Sequence, residues 1–174
     1  TVQDLLDSHE PIMFATSGIG ASNHMETRIL AYALGLDVTL VPNMENGETQ
    51  MSMVRGEVSA VLASESSYDT FIEQGNGKFV LSFAGGDSMF PGAPQARDFT
   101  VNEDALPLLD FIETISSMGR LTAGPPGMAP ARLAALRQAF NAALADPDLR
   151  AEAARLVLPI NPGTGEQVEE KMKQ

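Results

Sequence analysis

Short apolar runs alternate with segments of helical periodicity through the first half of the chain, and this alternation constrains the fold more than any other feature. The runs are apolar at most positions, as expected for strands that are covered on both faces. The predicted strands are Ile12–Ala15, Val38–Pro42, Val58–Ala63 and Phe79–Phe83, with Leu121–Ala123 as a further candidate. The predicted helices among the first four strands are Val2–Ser8, Asn23–Leu34, Glu48–Arg55 and Ser66–Gln74. This order predicts an α/β fold with a mainly parallel sheet, built from right-handed crossovers and flanked by helices.

The second half of the chain is predicted to be mostly helical. Residues 84–99 contain three Gly and two Pro, a composition typical of an ordered connector. Beyond them, periodicity and helix-start signals predict the helices Glu103–Met118, Pro130–Leu144, Asp146–Leu158 and Thr164–Lys173. Asp146 is expected to cap the third of these helices, and Thr164 with Gln167 has the spacing of a capping box.

Charge and composition exclude several classes of function. The 174 residues include 11 Lys and Arg against 23 Asp and Glu, for a formal net charge of −12. A surface this acidic repels phosphate backbones, so we expect no nucleic acid partner. The absence of Cys excludes disulfides, thiolate metal sites and cysteine nucleophiles. Neither of the two histidines, His9 and His24, has a ligand partner at helical spacing, so we predict no metal site and no cofactor.

A glycine-rich stretch, residues 14–24 (FATSGIGASNH), joins the first predicted strand to the helix that follows it. Gly18 and Gly20 allow a sharp turn, and Asn23 with Glu26 is expected to cap the helix. The free amides of the first helical turn and the neighbouring hydroxyls predict a carboxylate or phosphate site, whatever the net charge, because the positive potential is local. The candidate ligand-binding residues here are Thr16, Ser17, Gly18, Gly20, Ala21, Ser22 and His24. The alternative interpretation is an ordinary turn, in which His24 makes a structural contact that orders the loop.

Catalytic interpretations of this loop fail on residue identity. Asn23 replaces the third glycine of a dinucleotide fingerprint, and no phosphate-binding lysine motif or nucleophile elbow is present. A small enzyme that uses Ser17 or His24 is an open alternative, but no base–nucleophile pair and no catalytic residue is predicted.

Two further junctions between strands and helices are expected to face the same site. They are residues 42–47 (PNMENG) and 63–67 (ASESS), both short and polar. Their candidate ligand-binding residues are Asn43, Asn46, Ser64 and Ser66. For Asn46 and Ser66, the alternative is that they serve only as helix caps.

In order and spacing, these residues resemble the periplasmic solute-binding receptors of tripartite tricarboxylate transporters. The resemblance covers most of the chain and is carried by residues 2–6 (VQDLL), 14–24, 41–42 (VP), 55–59 (RGEVS), 124–130 (GPPGMAP) and 145–148 (ADPD). Residues 43–46 (NMEN) stand where members commonly have Tyr-Lys-Gly-Ser, so the resemblance leaves the identity of the bound acid open.

The resemblance implies a lobe of the type II periplasmic-binding-protein kind, which closes around a small organic acid and delivers it to membrane permease subunits. It also implies a periplasmic location and no catalysis. Residues 1–118 would be the ligand-binding second lobe, and residues 119–174 would be a return strand and helices that complete the first lobe. A sensing domain that acts on a partner protein is the alternative from a different class.

The same correspondence leaves the helices after residue 119 without the lobe that they would cover. Their apolar positions include Leu133, Leu136, Phe140 and Leu144. We expect these helices to fold back on the sheet of residues 1–84 or to associate with a second copy of the chain.

Overall fold

The computed structural model of the chain describes residues 1–83, 90, 92–156, 158 and 160–173. These residues form two compact units, Thr1–Ser116 and Ser117–Gln174. That the units correspond to a receptor lobe and a return segment stays a prediction. None of the described helices combines the length and the apolar character needed to cross a membrane.

The first unit contains a parallel sheet of three strands in the order β2-β1-β3. The strands are β1 (Ile12–Ala15), β2 (Val38–Val41) and β3 (Ala60–Val61). β1 lies in the centre, with Phe14 paired to Leu40 on one side and to Ala60 on the other. The helices of this unit are α1 (Val2–Leu6), α2 (Ser22–Leu34), α3 (Asn46–Val54), α4 (Asp69–Glu73) and α5 (Leu106–Met118), whose last residues lie past the unit's end. The predicted α/β fold with a parallel sheet is thereby confirmed, and it is compatible with a Rossmann-like or periplasmic-binding-protein-like lobe.

The core of the first unit forms where α2 meets the segment that leads into α5. Leu30, Ala33 and Leu34 of α2 are buried against Ala96, Ala105 and Leu109. The helical spacing of these α2 residues places them on one face, while Gly35, in the left-handed region at φ 66°, ends the helix. This packing fixes α2, and with it the glycine-rich loop at its N-terminus.

Two predicted strands are wrong. Among the described residues, the only β-pairing within Phe79–Phe83 is a single parallel bridge from Ser82 to Gln95. The Ser82 N–H donates to the Pro94 carbonyl, and the Ala96 N–H donates to the Ser82 carbonyl, both at 2.9 Å. The described part of Leu121–Ala123 contains no strand. The third predicted strand is confirmed in place but is shorter, because only Ala60 and Val61 pair with β1.

Most predicted helices are confirmed with shifted ends. Predicted Ser66–Gln74 is a 3₁₀ turn at Glu65–Ser67 followed by α4, and predicted Glu103–Met118 begins with a 3₁₀ turn at Glu103–Ala105 before α5. In the predicted connector, residues 84–89 and 91 lie outside the described residues, and Ala96–Phe99 forms a further 3₁₀ turn.

In its described residues the second unit contains, besides the last residues of α5, the helices α6 (Pro130–Ala145), α7 (Pro147–Arg155) and α8 (Gly165–Lys171). The two predicted caps are confirmed. The Asp146 carboxylate accepts from the Asp148 and Leu149 amides, and Thr164 forms the predicted capping box with Gln167. Arg137 of α6 is paired with Glu166 and Glu169 of α8. No described residue of this unit is buried.

Candidate functional site

The glycine-rich loop follows the central strand of the sheet, where ligand sites of open α/β sheets occur. The chain leaves β1 for β2 on one side and then returns past β1 to β3 on the other side. The strand order therefore reverses between β1 and β3, and in open α/β sheets ligands bind at the carboxyl ends of the strands at such points. Residues 16–21 occupy this end of β1, and Ser64 follows β3.

Ser17 and Asn23 close the loop on itself. The Ser17 N–H donates to Asn23 Oδ1, and Asn23 Nδ2 donates to Ser17 Oγ, both at 3.2 Å. The prediction that Asn23 caps α2 is wrong, because the helix begins at Ser22 and the amide of Asn23 is engaged with Ser17. The N-cap is Ala21, which is extended and supplies no side-chain cap. The Ser22 and Asn23 amides at the start of α2 therefore have no described hydrogen-bond partner, whereas the His24 N–H donates to the Ala21 carbonyl at 3.1 Å.

Thr16 connects the loop to the neighbouring strand and to His24 through its backbone and its side chain. Its side chain is buried, with 1% of the residue exposed. The Thr16 N–H donates to the Val41 carbonyl at 2.9 Å, and the Thr16 carbonyl accepts from the Met44 N–H at 3.0 Å. Thr16 Oγ1 lies 3.2 Å from His24 Nδ1, within hydrogen-bond distance. Thr16 and His24 therefore have the structural contact weighed as the alternative to ligand binding, and they order the start of the loop.

Asn43 brings the second polar loop against the first. It has a φ of 67°, in the left-handed region that few residues other than glycine adopt. Its Oδ1 lies 3.6 Å from where a Cβ on Gly18 would stand, so the Asn43 side chain packs on the Gly18 backbone. Gly20 also has a left-handed φ, of 87°, and nothing lies within 4 Å of its Cβ position. Between these glycines, Ile19 is 85% exposed, so the loop tip is apolar.

The loop that follows β3, residues 63–67, is the third loop of the predicted site, and it is not joined to the glycine-rich loop as the second one is. The N-caps of α3 and of the Glu65–Ser67 turn are Glu45 and Ser64, and neither supplies a side-chain cap. Asn46 and Ser66 therefore lie inside their helical turns, and the alternative that they cap them is wrong. Gln50 Nε2 donates to the Ser67 carbonyl at 3.2 Å and joins α3 to the third loop. Among the described hydrogen bonds, none joins Asn46, Ser64 or Ser66 to the glycine-rich loop.

The structure thus joins some predicted site residues and leaves others apart. Those connected by hydrogen bonds or packing around the loop are Thr16, Ser17, Gly18, Ala21, His24 and Asn43. Gly20 and Ser22 belong to the same loop and are exposed. Asn23 was predicted to cap α2, whereas it binds Ser17. No known local motif places these two residue types six positions apart, so the sequence contains no signal for this pair.

The backbone amides at the start of α2 supply positive potential to the site. Residues 1–54 contain one basic residue, Arg28. Glu26, in the second turn of α2, is half-buried, and burial raises the pKa of its carboxyl group. No group of three His, Asp or Glu side chains among the described residues is arranged to hold a metal ion. The chemistry that this arrangement offers is hydrogen bonding to an anion from backbone amides and hydroxyls.

Comparisons with protein-family models, with curated proteins and with solved structures found no match to this chain. The likeness to the tripartite tricarboxylate receptors therefore stays a proposal that rests on the residues quoted for it.

Proposed function

We propose that this chain is a ligand-binding lobe of a solute receptor that holds a small organic carboxylate at the N-terminus of α2. The observation that carries the proposal is the open helix end. Ala21 supplies no cap, the side-chain amide of Asn23 is bound to Ser17, and the Ser22 and Asn23 N–H groups have no described partner. A ligand carboxylate would accept hydrogen bonds from these two amides and from the Ser17 and Ser22 hydroxyls.

Preorganisation of the loop supports this role. The Ser17–Asn23 bonds, the Thr16–His24 contact and the packing of Asn43 on Gly18 hold the loop in one conformation before a ligand arrives. A preformed site binds more tightly because less conformational entropy is lost on binding. The left-handed φ of Asn43 also supports it, since strained backbone is concentrated at ligand sites.

The role in transport rests on the resemblance. In that proposal the receptor is periplasmic, closes a second lobe over the acid and delivers it to membrane permease subunits, with no reaction catalysed. Asn46, Ser64 and Ser66 would contribute to the rim of the closed site. The net charge of −12 does not oppose this, because the potential of a helix end acts within its first turn.

A thermal-shift screen tests the proposal. The panel contains dicarboxylates, tricarboxylates, aromatic acids and acidic amino acids, each paired with its neutral amide as a control. A ligand that binds only the folded state raises the unfolding temperature, and the rise grows with the logarithm of the ratio of its concentration to its Kd. We expect at least one acid to raise it while its amide does not. The absence of a shift for every acid at millimolar concentration, in this chain and in a fusion that supplies a complete first lobe, would refute the proposal.

A further inference from the structure

A second side of α5, next to its buried side, carries an apolar stripe that is half-exposed. Leu109 and Ile112 bury one side of the helix. Leu108, Phe111 and Ile115 lie at spacings of three and four residues, on another side, and Phe111 is 58% exposed. We call these three residues the α5 face. A contiguous apolar surface of this kind marks an interaction site.

A second exposed apolar surface lies on α6. Leu136 is 54% exposed and Phe140 is 46% exposed, one helical turn apart. Arg132 precedes them by one turn on the same side and is exposed. It forms no ion pair with any described residue, whereas Arg137 is held by α8. We call Leu136, Phe140 and Arg132 the α6 face.

The two faces are complementary in charge. Residues 1–116 contain 17 acidic residues against four basic ones, while residues 117–174 contain six against seven. Residues 114–145, which include α6, contain three arginines and no acidic residue. The exposed carboxylates of Glu103 and Asp104 lie just before the first turn of α5 and so flank the α5 face. A surface that pairs exposed aromatic and aliphatic side chains with an arginine fits an acidic apolar partner better than it fits a copy of itself.

We propose that two copies of the chain associate reciprocally, with the α6 face of each copy covering the α5 face of the other. Each α5 face would repel another α5 face, because both are flanked by acidic residues, so a contact between identical faces is disfavoured. The reciprocal arrangement contains two equivalent contacts related by a two-fold axis. Arg132 lies near Glu103 or Asp104 of the other copy in this arrangement. The inference is independent of the carboxylate site.

Sedimentation velocity and light scattering on the full chain test the association. We expect a dimer for the wild type, and monomers for Phe111→Asp and for Phe140→Asp. An equimolar mixture of these two variants is expected to recover a dimer, because the intact α6 face of one variant still covers the intact α5 face of the other. Val54→Asp, which places the same charge on an exposed apolar position of α3, is the matched control and is expected to remain dimeric.

Circular dichroism establishes that each variant is folded before its mass is compared. A monomeric wild type would overturn the proposal. It would also be overturned by a Phe140→Asp variant that stays dimeric, which would indicate pairing of two α5 faces, or by a Phe111→Asp variant that stays dimeric, which would indicate pairing of two α6 faces. A mixture of the two variants that remains monomeric would equally contradict it.

Discussion

Asn23 forms hydrogen bonds with Ser17 through both the oxygen and the nitrogen of its side-chain amide, and this pairing closes the glycine-rich loop on itself. The pairing uses the side chain that would otherwise cap the helix. It therefore both orders the loop and leaves the helix end open, and these are two requirements of an anion site built from backbone amides.

An Asn23→Ala variant is expected to lose carboxylate affinity while it keeps most of its stability. In Asn23→Ala, two exposed hydrogen bonds are lost, but alanine favours the helix by up to about 0.7 kcal/mol, so we expect the free energy of unfolding to change by less than about 1 kcal/mol. Carboxylate affinity is expected to fall more than stability, since the loop loses its closure. Titration calorimetry and urea unfolding measure the two quantities. Asn76→Ala, whose amide bonds to Gln74 in another loop, is the control, and equal effects of both variants on affinity would contradict the account.

Alanine substitutions at two glycines, Gly20 and Gly47, are expected to change the free energy of unfolding in opposite directions. Neither Gly20 nor Gly47 has an atom within 4 Å of its Cβ position, so steric crowding is absent from both. Gly20 has a φ of 87°, and Gly20→Ala is expected to destabilise the fold by about 1 kcal/mol. Gly47 lies in the first turn of α3, and Gly47→Ala is expected to stabilise it by about 0.5 to 1 kcal/mol. Denaturant midpoints of the two variants measure this difference, which would be absent if the loop adopted another conformation.

A proline at Ser22 tests the role of a single backbone amide. Ser22 is the first residue of α2, and Ala21 before it has φ −65° and ψ 155°, a conformation that proline accepts in its predecessor. Proline already opens α6 and α7 in this chain, so Ser22→Pro is expected to fold. Loss of one charge-assisted hydrogen bond is expected to weaken carboxylate binding about tenfold or more. Ser22→Ala removes the hydroxyl and keeps the amide, and equal affinities of the two variants would show that the amide makes no contact.

Glu57 is expected to contribute stability that disappears in acid. The Arg55 guanidinium and the Ser52 hydroxyl lower the pKa of the Glu57 carboxyl group from an ordinary 4.5 to about 2. Because the folded-state pKa is the lower one, the stabilisation is complete above about pH 4.5 and is lost as the pH falls towards 2. The difference in unfolding free energy between wild type and Glu57→Gln should shrink over that range.

Chemical denaturation at several pH values measures this difference. Glu73→Gln, which removes an exposed carboxylate with no described ion pair, is the matched control for the loss of one surface charge. A wild-type advantage over Glu57→Gln that is as large at pH 2 as near neutrality would contradict the expected pairing of Glu57 with Arg55.

The α/β fold could be predicted because β1 and β2 are short runs that are apolar at most positions and are followed by helical segments. Their signals are local, and local propensity agrees with the final packing. The run Phe79–Phe83 carries a similar signal, yet among the described residues it forms a single bridge, from Ser82 to Gln95 within the connector. A strand requires a ladder of partners, and sequence patterns do not reveal a non-local partner.

The position of the glycine-rich loop could be predicted from the sequence, but the contacts that its residues make could not. Gly18, Gly20 and the neighbouring hydroxyls indicate a turn before a helix, which the structure contains. The contact of Asn43 with Gly18 depends on the parallel pairing of β1 and β2, which brings the two loops together. Likewise, the start of α2 at Ser22 depends on Asn23 being engaged with Ser17, and both outcomes are decided by three-dimensional proximity.

The most direct measurement of the central claim is a titration of the ¹⁵N-labelled chain with an acid identified in the thermal-shift screen, followed by amide chemical shifts. The account predicts that the largest changes fall on the amides of residues 17–24, with a further change at Asn43, and that the neutral amide of the same acid leaves them unchanged. Changes concentrated elsewhere, such as at the depression lined by Ser82, Gln95 and Arg97, with residues 17–24 unaffected, would contradict the account.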